Sequence, residues 1–135
     1  MSGHGATRIR AASGAIVAAA LGLVSRMSWL DQVPVLPVYA GDACWAMAAY
    51  AVIRFIFPKG SIARVVILAI LAAWIVELTQ LIHFQWLDEA RAETVLGLLI
   101  GRGFVWSDLL VYVVGVGLAA TVELMIRRNG RKETD

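Results

Sequence analysis

Histidine and cysteine are nearly absent from this chain, with two histidines and one cysteine in 135 residues. Cys44 alone cannot form a disulfide or a cysteine zinc cluster within one chain. His4 and His83 are too few for a multi-histidine metal site, and no phosphate-loop or dinucleotide glycine pattern occurs in a strand–helix context. Charge is scarce too, at 16% of residues, where a soluble domain carries roughly a quarter. The formal net charge is only +2, which excludes a basic nucleic-acid-binding surface. What replaces the missing polar residues is apolar mass: 60% of residues are hydrophobic and the mean hydropathy is +0.76. A disordered tail is excluded by the same figures. A small integral membrane protein remains.

Four long apolar runs define the expected architecture: an all-α integral membrane protein in a single domain, residues 1–135, with four transmembrane helices. They fall at about residues 9–25, 40–57, 65–83 and 106–126, and crossing the hydrocarbon as helix takes about 20 residues each. The runs are continuously apolar and do not alternate, which excludes a membrane β-barrel. A basic start and small residues also give residues 9–25 a second reading, as a signal peptide. Pro58-Lys59-Gly60-Ser61 forms a tight turn that ends the second helix. Pro34 and Pro37 mark an irregular outer loop over Met27–Ala40. Within the long third connection, residues 88–100 open on an acid and end before a glycine. That pattern predicts an interfacial or re-entrant half-helix at the outer face.

Lysine and arginine fall unevenly about these runs. Arg8, Arg10, Arg54, Lys59, Arg64, Arg127, Arg128, Arg131 and Lys132 lie on one side, and Arg26, Arg91 and Arg102 on the other. The positive-inside bias predicts both termini in the cytoplasm, with residues 127–135 as a cytoplasmic tail.

Against this apolar background each ionisable residue is a candidate site by default, because lipid makes it costly. Asp42 and Trp45 share one face of the second helix. Glu77 and Gln80 share one on the third, with Trp74 a turn inward. Asp108, Tyr112 and Gly115 share one on the fourth. Asp88, Arg91, Arg102 and Trp106 belong to, or border, the connection between them. The candidate ligand-binding set is therefore Asp42, Trp45, Glu77, Gln80, Asp88, Arg91, Arg102, Trp106, Asp108 and Tyr112, gathered toward the outer face. No nucleophile or metal set accompanies them. The catalytic candidate is Glu77 alone, as a general base if the protein is an enzyme.

Structural readings stand beside these. Asp42, Asp88 and Asp108 would cap exposed helix N–H groups. Tyr39, Tyr112 and most of the tryptophans would form an interfacial belt, with Trp74 packed deeper between helices. Glu123 and Arg127, spaced i and i+4, read as an ordinary helix pair. The whole polar set would then only order helix packing.

The residues Gly41-Asp42-x-x-Trp45-Ala46, Glu77-x-x-Gln80-Leu81, Trp86-Leu87-Asp88-x-x-Arg91, Gly101-Arg102-Gly103-Phe104-x-Trp106-x-Asp108-Leu109 and Tyr112-x-x-Gly115 resemble a family of small bacterial membrane proteins, domain of unknown function 2809. The resemblance covers about residues 35–120. It implies a compact helical inner-membrane protein and brings no established activity. A more distant likeness is to VanZ-like proteins, in which Glu77, Gln80, Arg91 and Asp108 would occupy the matching places. That likeness implies a role at the cell envelope. No cofactor and no nucleic acid is expected. The expected partners are the lipid bilayer and an envelope lipid or its headgroup, and an oligomer built around Glu77 for proton-coupled transport is the alternative.

Overall fold

The computed structural model describes residues 3–25, 36–79, 89 and 106–132. Four helices make up these segments: α1 (Gly3–Ser25), α2 (Leu36–Ile56), α3 (Ile62–Thr79) and α4 (Trp106–Lys132). The half-helix expected at 88–100 lies outside the described residues except for Glu89. The candidate residues Gln80, Asp88, Arg91 and Arg102 also lie outside them.

Among the described residues three helices are long and apolar enough to cross a membrane: α1 over His4–Ser25, α3 over Ile62–Thr79 and α4 over Trp106–Gly130. The 18 residues of α3 extend about 27 Å at 1.5 Å per residue, close to the thickness of the hydrocarbon layer. The expected second span, α2, is a helix but is not among the three. Its composition gives the reason, since Tyr39, Asp42, Tyr50 and Arg54 lower its hydropathy. It packs against α1, α3 and α4, with Asp42 and Arg54 buried in the bundle.

Several helix limits differ from the reading of the sequence: α1 starts earlier, at Gly3, and α3 at Ile62. The outer loop gives way to helix at Leu36, which puts Pro37 in the first turn of α2, where its missing N–H leaves no hydrogen bond unmade. The fourth helix runs on through Arg127 and Arg128 to Lys132, since cations near a helix C-terminus are favoured by its dipole.

The core is built from stripes spaced four residues apart, the repeat that keeps one helix face inward. They are Asp42, Ala46, Tyr50 and Arg54 on α2; Val65, Ala69, Ala73 and Glu77 on α3; and Tyr112, Val116 and Ala120 on α4, all buried. Each stripe includes alanine (Ala46, Ala69, Ala73 and Ala120), and small residues let helix backbones approach without a solvent-driven core. Gly115 marks the tightest approach. A Cβ there would lie 2.5 Å from the carbonyl oxygen of Ala43 and 2.9 Å from the Ala46 Cβ. The opposite faces are apolar and turned outward: Ile16, Ile67, Ile75, Leu110 and Leu118 are each more than half exposed. Water would penalise such a surface and hydrocarbon would not.

The α2–α3 turn is closed by a Gly60 N–H to Phe57 carbonyl bond of 3.0 Å. Ser61 caps α3, its Oγ accepting from the Arg64 N–H at 3.2 Å.

Candidate functional site

One end of the bundle is formed where α2 begins, α3 ends and α4 begins. There the Tyr112 hydroxyl of α4 donates to Glu77 Oε2 of α3 at 2.8 Å. Glu77 is among the most completely enclosed side chains described, at 1% exposure. Asp42, in the second turn of α2, and Asp108, in the first turn of α4, lie at the same end of the bundle. Trp45 of α2 packs against the Tyr112 ring with centroids 5.8 Å apart and planes tilted by 44°. Trp74 Nε1 donates to the Leu109 carbonyl at 3.2 Å, and Ser107 Oγ donates to Asp108 Oδ1 at 3.3 Å.

The structure thus brings together Asp42, Trp45, Glu77, Asp108 and Tyr112. Trp106 is 73% exposed at the start of α4. Three structural readings change. Asp42 is not a helix cap: α2 starts at Leu36, so Asp42 sits in its second turn, buried. Asp108 does lie in the first turn of α4, where the dipole favours an acid. Tyr112 is buried and no part of an interfacial belt, while Trp74 is 38% exposed, held to α4 by its indole N–H and not enclosed between helices.

A second polar cluster, with little to mark it in the residue pattern, occupies the other end. Glu123 of α4 pairs with Arg127 at 2.6 Å, the expected i, i+4 partner. That pair is the edge of a larger network, which corrects the reading of Glu123 as an ordinary helix pair. Arg54 Nε donates to Glu123 Oε2 at 2.9 Å, and the Tyr50 hydroxyl donates to the same oxygen. Arg54 Nη1 donates to the carbonyl of Gly60 at 2.7 Å and, more weakly, of Phe57 at 3.4 Å. One arginine therefore ties α2 to α4 and to the α2–α3 turn. The available signal was the Tyr50-x-x-x-Arg54 spacing, which puts both residues on the face of Ala46.

No group of histidine, cysteine and acid side chains suited to a metal ion occurs among the described residues. Outward apolar faces around buried polar clusters define a helical, multi-pass membrane protein. The chain belongs to the family described as Protein of unknown function (DUF2809), whose model matches residues 32–116. The match takes in α2, α3 and the Glu77–Tyr112 end of α4. No solved structure matches the chain.

Proposed function

We propose that this is a bacterial inner-membrane protein with both termini in the cytoplasm, whose outward-facing polar cluster binds the headgroup of an envelope lipid. The observation that carries this reading is the enclosed Tyr112–Glu77 hydrogen bond, at the end of the bundle where Asp42 of α2 and Asp108 of α4 also lie. Acceptors held in low dielectric suit the amine or hydroxyl groups of a headgroup, and the Trp45 ring offers an apolar wall beside them. The connection bearing Arg91 and Arg102 leaves α3 just after Glu77 and enters α4 just before Asp108. In this reading those arginines meet the headgroup's phosphate. The role fits the envelope association of VanZ-like proteins, by analogy alone.

The test is a lipid-dependent shift in the unfolding temperature of the detergent-purified protein, with phosphatidylethanolamine and a polyprenyl phosphate as probes. A shift that is lost in Glu77→Gln supports headgroup binding. No shift with either lipid, or one that Glu77→Gln leaves intact, overturns it and leaves the cluster as packing. A second reading, proton-coupled transport by an oligomer, draws on buried Glu77 and half-buried Glu123, carboxylates that each take a tyrosine hydrogen bond near opposite ends of the bundle. Proton release on substrate binding, lost in Glu77→Gln, would favour transport over simple binding.

A further inference from the structure

The basic end of the bundle holds a cleft that the headgroup reading leaves unused. α1 and α4 each pack on α2 and scarcely touch one another. Between them opens a cavity of about 200 Å³ lined by residues of all three helices. Its polar lining includes Arg10 of α1, Arg54 of α2, and Glu123 and Arg127 of α4, so positive charge exceeds negative within it. Its remaining wall is small or apolar, with Gly14, Ala18, Met47 and Ala119 along it. Arg54 is 3% exposed, and its Nη2 is buried with no hydrogen-bond partner among the described residues. A buried guanidinium nitrogen without a partner is costly unless an acceptor reaches it.

We propose that this cleft binds a phosphate carried on an apolar chain, namely the headgroup of an anionic phospholipid with an acyl chain laid along Gly14 and Ala18. Three arginines on three helices suit a phosphate, since guanidinium forks match its oxygens. The apolar wall between α1 and α4 suits hydrocarbon and would not hold a free anion. Glu123 keeps Arg54 fixed and lowers the net charge, so a singly charged diester fits better than a more highly charged group. Basic pockets between helices at the cytoplasmic side of a membrane are suited to anionic lipid headgroups on electrostatic grounds. The site stands apart from the Glu77 cluster and shares no residue with it.

The test measures displacement of a fluorescent phosphatidylglycerol from the full-length protein in detergent by unlabelled phosphatidylglycerol, phosphatidylcholine or inorganic phosphate. Phosphatidylglycerol should compete about tenfold better than phosphatidylcholine, and inorganic phosphate should not compete. Arg10 is exposed and the Arg127 side chain 47% exposed, so the double variant Arg10→Gln, Arg127→Gln keeps its helicity. It should weaken phosphatidylglycerol binding about tenfold or more and leave phosphatidylcholine unchanged. Gly14→Leu adds a side chain where a Cβ meets only Ala51 at 3.9 Å, and should weaken binding with no change in charge. Glu77→Gln should leave the preference intact. Equal binding of the two lipids, a double variant that binds like the wild type, or a preference removed by Glu77→Gln would overturn the proposal. Competition by inorganic phosphate at the lipid's own concentration would overturn the lipid as the source of the phosphate.

Discussion

Tyr112 and Glu77 join α4 to α3 through one hydrogen bond of 2.8 Å inside the bundle. A carboxyl so enclosed has no water to turn to, so the phenol is part of what makes its burial tolerable. Tyr112→Phe removes the donor and leaves the ring. We expect a loss of about 1–3 kcal/mol in unfolding free energy. Glu77→Gln keeps an acceptor and should cost less. Glu77→Ala breaks the bond from its other side, so Tyr112→Phe combined with Glu77→Ala should cost less than the sum of those two single losses. Strict additivity in reversible unfolding from detergent would show that the bond contributes nothing.

Gly115 meets α2 where no side chain fits. Gly115→Ala places a Cβ against the Ala43 carbonyl oxygen at 2.5 Å, and backbone cannot rotate aside as a side chain would. The helices must separate, at a cost on the order of 1–3 kcal/mol. Gly117, with nothing within 4 Å of its added Cβ, is the control: Gly117→Ala should be neutral or slightly stabilising, since alanine favours helix. Thermal unfolding of the two variants separates crowding from propensity.

What the sequence made legible follows from where each interaction is encoded. All four helices are legible because apolar runs are continuous and local. Glu77 stood out as a lone acid in such a run. Its face-mates on α4, Asp108, Tyr112 and Gly115, were visible through helical spacing. Arg54 was hidden for the opposite reason. It lies beside Lys59 and Arg64 near a helix end, where cations read as markers of membrane orientation. Its burial depends on Glu123, 69 residues away. The depth of Asp42 was hidden too, because a proline in the first turn of a helix looks like loop.

Arg54 and Arg127 both contact Glu123, and their burial sets different costs. The Arg54 side chain is 4% exposed and Arg127 47% exposed. Removing one partner of a buried pair leaves a stranded charge, so Arg54→Ala should lose about 3–5 kcal/mol. Arg54→Lys should recover only part of it, because a lysine cannot reach Glu123 and the Gly60 carbonyl at once. Arg127→Ala should change stability by no more than about 1 kcal/mol. Equal losses from Arg54→Ala and Arg127→Ala would mean that the α2–α4 tie is not what holds this end of the bundle.

The membrane placement gives a prediction that needs no ligand. Trp106 and Gly130 lie near opposite ends of α4, and both are exposed. They are 24 positions apart in a continuous helix, a rise of about 36 Å at 1.5 Å per residue, more than the thickness of the hydrocarbon layer. In a Cys44→Ala background, Trp106→Cys should react with a membrane-impermeant maleimide added to intact cells. Under the proposed orientation, in which Arg127 and Arg128 favour the cytoplasmic side, Gly130→Cys should react only after the cells are opened. Labelling of both from outside would mean that α4 does not span the membrane. The reverse pattern would invert the orientation, placing the basic cleft outside and the Glu77 cluster within.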